Sequence, residues 1–337
     1  MHSKVSADDP SNQMFGTCQL LEILQDGRFH SGEALGLVLG IGRGAVWKRI
    51  KKINSEFGVI VHSVPGRGYK IAQEMISLAP NQTFTGQDFA WNVIRHEAVD
   101  STNAEVLRKL EAGFNAPFAV VAEMQTAGRG RRGRVWVSPF GENLYFTLAL
   151  KIDQGLRQIE GLSLSVGLAV LKTLQVFGVR GAGLKWPNDV LVSDRKIAGV
   201  LLELVGDVAD VCHVAIGIGI NVNMVQSVDR IDQNWTSVNV ELGARIDRNY
   251  LLAELQKQLD LHLAVHLKQG FAALRDEWDS QSLWRGRQVT LSAGPRSVTG
   301  LFKGVDCDGA LMIQVGDETC FFSGGEISLR LDNDFRG

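Results

Sequence analysis

The chain has 337 residues, of which 45% are hydrophobic and 21% charged, and its formal net charge is -2. That length exceeds what one core usually serves, so two or three domains are expected, and the composition excludes both a disordered chain and a uniformly basic nucleic-acid coat. The four cysteines, Cys18, Cys212, Cys307 and Cys320, show no C-x-x-C spacing, which argues against a disulfide framework or a zinc knuckle and makes a reducing cytoplasm the expected location.

No signal-type leader opens the sequence, and no window approaches the roughly eighteen uncharged apolar residues of a bilayer span, so no membrane role is expected. Residues 1–14, rich in Ser, Asp and Asn, read as a disordered tail. Ser31 can cap a short helix with Glu33 in its first turn and Leu35 and Val38 on its inner face, and Gly40-Ile41-Gly42 makes a tight turn. Val46, Ile50, Ile53 and Phe57 then form the buried stripe of an amphipathic helix, which turns Lys48, Arg49, Lys51 and Lys52 toward solvent. "VIVHSVPGRGYKIA" reads as two short strands about a basic turn. Residues 15–75 therefore read as a winged helix-turn-helix. Seven basic residues against the single acid Glu56 between Arg43 and Lys70 suit DNA phosphates, with Arg43, Trp47, Lys48, Lys51, Lys52, Arg67 and Lys70 as contacts. Gly44 in the first turn of the basic helix weakens it by up to ~1 kcal/mol.

Residues 76–87, polar and without sustained period, read as a linker. From 88 to 281 helices and strands mix. Helices are expected at Asn103–Gly113, Arg157–Gly178 and Arg248–Lys268, and strands at Phe118–Glu123, Leu144–Leu150, Ile197–Leu204 and Val211–Val222. His262 and His266 have the i, i+4 spacing of a metal pair without the accompanying glutamate, and read as polar-face residues. Residues 282–334 break into short alternating runs separated by Gly and Asp, the pattern of a small β-barrel.

The stretch "TAGRGRRGRVW" (126–136) formally contains G-x-G-x-x-G at Gly128, Gly130 and Gly133. A dinucleotide-binding turn would need a helix after the glycines, whereas Ser138-Pro139 and a β-type alternation follow, so the loop joins two strands. Its four arginines still call for an anion.

Taken together, "DSTN", "QTAGRGRRGRVWVSPFGENL", "KWPND", "DRKIAG", "GIGINVN" and "GGEISLR" behind a winged helix resemble the bifunctional biotin-protein ligases that are also biotin operon repressors. The likeness runs from about Leu20 to Arg330. It implies an α+β multidomain protein: an N-terminal winged helix-turn-helix, a central mixed α/β catalytic domain similar to class II aminoacyl-tRNA synthetases, and a C-terminal SH3-like β-barrel. It further implies activation of biotin by ATP and Mg2+ to biotinyl-5'-AMP, transfer to a lysine of a biotin carboxyl carrier protein, and an adenylate-bound homodimer on operator DNA.

By motif, the resemblance places Ser101, Thr102, Asn103, Gln125, Arg129, Gly130, Arg131 and Lys196 along biotin. It places Arg129, Arg131, Arg134, Asn188, Asp189, Gly217, Gly219, Asn221, Trp235 and Arg330 on the nucleotide. Arg131, Lys185 and Lys196 are the expected catalytic cations and Asp189 the expected Mg2+ ligand, with no zinc or haem. Two other readings compete for the same residues. One is a non-catalytic biotin-sensing transcription factor, and the other a lipoate or octanoate ligase with a regulatory domain. The ligase with a non-DNA adaptor in place of the winged helix is a third. Lys196 together with the full arginine loop favours chemistry over sensing, because a sensor need not activate a carboxylate.

Overall fold

The computed structural model describes residues 10–331, except 58, 73–74, 154, 207–211, 226–230, 232, 294–295 and 325–326. Three helices open the chain, α1 (Pro10–Leu24), α2 (Gly32–Leu39) and α3 (Arg43–Lys52), followed by the hairpin of β1 (Val61–Val64) and β2 (Gly68–Ile71). Helix α1 begins inside the expected tail. Proline at a first helical position suits this start, because its φ is preset and its missing N–H would have no partner there.

Ser31 caps α2 by accepting from Ala34 N at 3.0 Å, and Gly40, in the left-handed region at φ 65°, ends it. Leu35 is buried as expected, but Val38 is 70% exposed. The helix is only eight residues long, and Gly36 rather than Val38 packs inward: a methyl on it would meet Ile41 O at 2.5 Å. The stripe Val46, Ile50, Ile53 and Phe57 is buried throughout, with Ile53–Phe57 completing α3 as a π-helical turn. Arg49 departs from the expected solvent face. It is half-buried and donates to Gly16 O at 3.2 Å, tying α3 to α1.

The expected linker is ordered and partly β. Gln82–Thr85 forms β3, an edge strand on β4 (Ala90–Val99). Four residues of an edge strand, exposed but for half-buried Phe84, carry too little alternation to be read locally. The segment before it is pinned: Leu78 N donates to Glu123 Oε1 at 2.7 Å, and Ala79 N to Asn249 Oδ1 at 2.7 Å. Arg248, 1% exposed, pairs with Glu123 at 2.6 Å and donates to Ile76 O at 2.9 Å. Phe140 and Met124 pack among the side chains of the first domain, so the two units share a core.

The central unit continues with α4 (Thr102–Glu111), β5 (Phe118–Gln125), β6 (Leu144–Ile152), α5 (Leu162–Val176), β7 (Ala182–Lys185), β8 (Asp189–Val192), β9 (Arg195–Gly206), β10 (Cys212–Ile220), α6 (Val238–Leu242), α7 (Arg248–Gln269) and α8 (Arg275–Ser280). Helix α5 starts later than expected because Gly161, at φ 70°, breaks the chain ahead of Leu162. The eight-stranded sheet runs β3-β4-β5-β6-β10-β9-β8-β7; β4 and β5 are parallel and the other neighbours antiparallel. Its two faces follow strand parity. Leu144, Phe146, Leu148, Ile216, Ile218 and Ile220 join the main core with α5 and α7. Tyr145, Thr147, Gly217, Gly219, Gly199 and Leu201 share the opposite face, on which α4 packs.

His262 and His266 are buried, contrary to the polar-face reading. His266 Nε2 lies 3.0 Å from Gln158 O and Nδ1 2.8 Å from Ser165 Oγ. A carbonyl only accepts, so Nε2 carries the proton and the ring is a neutral core residue; burial lowers the pKa of both histidines.

The C-terminal unit is an antiparallel five-stranded sheet ordered β14-β13-β12-β11-β15, made of β11 (Gln288–Ala293), β12 (Arg296–Val305), β13 (Leu311–Val315), β14 (Glu318–Phe322) and β15 (Ile327–Leu331). Residues 332–334 of the expected barrel lie outside the described residues. Asp279 of α8 accepts from Val305 N at 3.1 Å and Trp186 Nε1 donates to Gly309 O at 3.0 Å, which fixes this sheet against β7 and β8.

Candidate active site

Isoleucines in "AIGIGIN" point into the core and glycines onto the other face, so the sheet is hollow where α4 begins. A methyl on Gly217 would meet Asn103 Oδ1 at 2.2 Å and one on Gly219 the Trp136 ring at 2.5 Å; only glycine admits both side chains. The hollow is a cavity of about 350 Å³ between this face and the loop 126–136.

Ser101 and Thr102 open α4, and both, like Asn103, are 4% exposed. Thr102 N donates to Gln125 Oε1 at 2.9 Å, and Gln125 Nε2 donates to Ser138 Oγ at 2.9 Å. Asn103 Nδ2 donates to Glu203 Oε2 at 2.7 Å. Thr147 Oγ1 lies 2.7 Å from Asn103 Oδ1 and 2.8 Å from Thr102 Oγ1. One end of the cavity is thus lined by short polar groups held by their neighbours.

The arginine-glycine loop folds back on itself: Gly130 N donates to Arg134 O at 2.8 Å and Trp136 N to Gly128 O at 2.9 Å. Between them is a single tight turn over Arg131–Gly133, with Arg132 at φ 59°, and no helix follows. The loop is a strand connection, as expected. Arg129 reaches Glu203 at 3.2 Å, and Arg131 Nη1 donates to Asn188 Oδ1 at 3.0 Å. Arg134 is exposed at the rim.

Opposite the loop, Lys196 Nζ lies 2.6 Å from Asp189 Oδ1 and 5.3 Å from the Trp136 ring centroid. Lys185 Nζ lies 4.7 Å from the Trp284 ring centroid. Burial lowers the Lys185 pKa; Asp189 opposes this, and Lys196, Arg134 and Arg330 add to it. Burial likewise lowers that of Arg131, with Asp189 opposing. Two half-buried cations are therefore held at a cost that an anion in the cavity would relieve.

Asn188 Nδ2 donates to Val200 O at 2.8 Å, and Asn221 Nδ2 to Thr236 O at 3.0 Å. Lys196 N donates to Asn234 O and Thr236 N to Lys196 O, each at 2.9 Å, which seats the half-buried Trp235 at the cavity edge. Of its expected loop, Gln226–Val238, residues 226–230 and 232 lie outside the described residues.

The sequence-predicted cluster converges on this cavity with one departure. Arg330 is exposed on β15, and its neighbour Leu329 is the lining residue. Alternation explains this, since adjacent strand residues face opposite ways. The sequence reading passed over Trp136, Ser138, Tyr145, Thr147 and Glu203, of which Trp136 and Tyr145 line the cavity and Ser138, Thr147 and Glu203 hold residues that do. Thr147 had a usable signal: it is the polar residue inside the apolar run "LYFTLAL", where a strand buried on both faces accepts one only if it is hydrogen-bonded.

In the first domain Arg43, Lys48, Lys51 and Arg67 are exposed, Lys52 and Lys70 half-buried, and Trp47 is 48% exposed. Lys51 Nζ sits 4.0 Å from the Trp47 ring centroid, and Arg67 stacks at 4.2 Å on Phe29. Lys52 pairs with Glu56 at 3.6 Å.

Three family models match the chain in order: an HTH domain over residues 18–70, the Biotin/lipoate A/B protein ligase family over 96–221, and the Biotin protein ligase C terminal domain over 286–330. The chain is 37% identical over 313 residues to the bifunctional ligase/repressor BirA of Escherichia coli (strain K12), covering 93% of this chain and 96% of that protein. It is 30% identical over 296 residues to the bifunctional ligase/repressor BirA of Bacillus subtilis (strain 168), covering 86% and 90%. Among solved structures it is similar to the biotin protein ligase from Aquifex aeolicus in complex with biotin and ATP, with a TM-score of 0.62 and 31% identity over 71% of this chain and 99% of that one.

Proposed function

Because this chain belongs to the bifunctional ligase/repressor family of biotin protein ligases, we propose that its central cavity joins biotin to ATP and that its N-terminal domain binds DNA. The observation that carries the enzyme reading is the convergence of Arg131, Lys185 and Lys196 on one cavity whose far end is polar and uncharged. Such a site brings two anions together and needs no side-chain nucleophile, since the carboxylate of biotin is itself the nucleophile.

One biotin carboxylate oxygen attacks the α-phosphorus of ATP, the bond to the β-phosphate oxygen breaks, and pyrophosphate leaves. Lys196 and Arg131 hold the two reacting anions and stabilise the charge on the five-coordinate phosphorus. Lys185 supports them from beneath the nucleotide. Ser101, Thr102, Asn103 and Gln125 hold the ureido end, while Arg129 and Gly130 lie along the chain to the carboxylate. Gly217, Gly219 and Asn221 leave room for the adenylate, Asn188 and Arg134 flank its phosphate, and Trp235 covers the adenine.

Among the described residues no cluster of three or more metal-ligand side chains occurs, and Asp189 is already close to Lys196. That donor set fits a Mg2+ held mainly by nucleotide phosphates, with Asp189 its protein ligand. When bound, the ion draws charge from the leaving pyrophosphate.

In the second step a lysine amine of a biotin carboxyl carrier protein attacks the acyl carbon, the C–O bond to AMP breaks, and the amine loses its proton. Adenylate orders the arginine loop and favours a homodimer on two-fold operator DNA, contacted by Arg43, Trp47, Lys48, Lys51, Lys52, Arg67 and Lys70. Sedimentation with and without adenylate tests the dimer, which must form only with the ligand. For the enzyme, biotin-dependent exchange of pyrophosphate into ATP is the measurement, run beside lipoate. Exchange with biotin alone is expected. Exchange only with lipoate would reassign the substrate, and none with either would remove the catalytic reading.

A further inference from the structure

Glu203 does not line the cavity, but it holds two residues that do, Asn103 and Arg129, and it takes no part in the steps above. It stands on the cavity face of β9, opposite Ala215. Its Oε2 accepts from Asn103 Nδ2 at 2.7 Å and from Arg129 Nη2 at 3.2 Å. An ionised carboxylate only accepts, and the orientation of an amide follows from its partners. Asn103 must therefore give its nitrogen to Glu203 and turn its oxygen to Thr147, 2.7 Å away.

The Thr147 hydroxyl has one proton, and the amide oxygen cannot supply another, so that proton goes to Asn103. The Thr147 lone pairs then face the Thr102 hydroxyl at 2.8 Å. From the other side, Thr102 N–H holds Gln125 Oε1, Gln125 Nε2 holds Ser138 Oγ, and Ser138 donates to Trp136 O at 3.0 Å. The sense of the Asn103 and Thr147 bonds is thus set. Thr102 has two acceptors for its proton, Thr147 Oγ1 at 2.8 Å and Gln125 Oε1 at 3.2 Å, and on either one the proton stays within the protein, which leaves the Thr102 oxygen to accept from the cavity.

We infer that Glu203 is a positioning residue that fixes this sense, and that through Arg129 it ties the start of the arginine-glycine loop to the same network. The cavity end then accepts hydrogen bonds and selects a substrate by its N–H groups. The inference rests on the ligase reading, in which those groups belong to the ureido ring of biotin.

The test exploits the pair Asn103–Glu203 and reads KM for biotin and kcat in biotin-dependent pyrophosphate exchange at saturating ATP. Asn103→Asp sets two carboxylates against each other and raises KM by about 100-fold. Glu203→Gln, whose amide oxygen can still accept, raises it by about threefold. In the double variant the new amide donates to the new carboxylate, whose other oxygen still accepts from Thr147, so KM returns to within roughly fivefold of the native value. Across the set kcat changes by less than about threefold, because the reacting atoms lie elsewhere.

A double variant no better than Asn103→Asp overturns the proposal. If Asn103→Asp does not fold by its circular-dichroism melt, Glu203→Leu replaces it; KM should then rise by about tenfold with kcat kept, and an unchanged KM overturns the proposal. Absence of exchange in the native protein would remove the ligase reading and this one with it. Normal native exchange with additive variants removes this one alone.

Discussion

Helix α3 and the loop 126–136 are built from the same materials, arginine beside glycine, and each contains a Gly-Arg-Gly tripeptide, at 42–44 and 128–130. Their surroundings differ. In α3 the apolar stripe turns inward and Arg43, Lys48 and Lys51 stand exposed, where their charge falls on whatever polyanion approaches. In the loop the chain closes on itself, and Arg129 and Arg131 are tied to Glu203 and Asn188. The glycines differ in the same way. A methyl on Gly44 meets nothing within 4 Å, whereas one on Gly128 meets Trp136 O at 2.4 Å. Basic composition therefore marks an affinity for anions, and the fold decides whether the anion is a surface-bound polymer or an enclosed small molecule.

The largest effect that can break this contrast is at Lys196. Replacing it by alanine removes the cation facing the loop and leaves Asp189, half-buried, without its ion-pair partner at 2.6 Å. Exchange should slow by about 10²–10³-fold, while operator affinity of the ligand-free protein stays unchanged. A matching loss of DNA binding would show that the two regions are not separate. Gly128→Ala comes next. The added methyl collides with a backbone oxygen, which cannot swing aside as a side-chain end can, so the loop must shift. A displacement of about 1 Å can cost up to ~10²-fold in kcat/KM, and steady-state exchange kinetics would reveal it. Full activity would mean that the loop does not need its closed form.

On the other side of the comparison, Lys51→Ala removes an exposed charge. Operator affinity should fall several-fold and the slope of log affinity against log salt should weaken by about one, with exchange untouched. An unchanged salt slope in a binding titration would take Lys51 off the DNA.

The basic helix was legible because its evidence is local: a 3.6-residue stripe and the charges between its members lie within fifteen residues. The converging motifs of the cavity were legible through resemblance, but what holds them was not. Glu203 reaches Asn103 across a hundred residues of chain, through the register that sets β9 beside β10 and β10 beside β6. Thr147 acts through the same pairing and Trp136 through its seat over Gly219 of β10, and no window of sequence contains either. The misreadings have a related cause. Val38 obeyed the helical period, but α2 is too short to bury a second turn. His262 and His266 are polar by type, yet His266 finds Ser165 and Gln158 inside the core and His262 the carbonyl of Gln258. Strand β3 is ordered by the edge of β4 and not by its own pattern.

The smallest test concerns Gly44 itself. It occupies the first turn of α3, where a glycine loses backbone entropy without any close approach to justify it, and Gly42 offers the helix no side-chain cap. Its φ is ordinary for a helix, since it is absent from the positive-φ glycines. Gly44→Ala should therefore stabilise the first domain by about 0.5–1 kcal/mol, mostly by narrowing the unfolded ensemble. A thermal melt would register this as a rise of roughly 2–5 °C. The strand glycines of the cavity behave differently: alanine at Gly217 would meet Asn103 and at Gly219 Trp136, so both should lower exchange activity whatever they do to the melt. A Gly44→Ala melt that stays level or falls would mean that the first turn of α3 is shaped by something other than its own backbone, and the contrast between an open and a closed glycine would lose its simplest case.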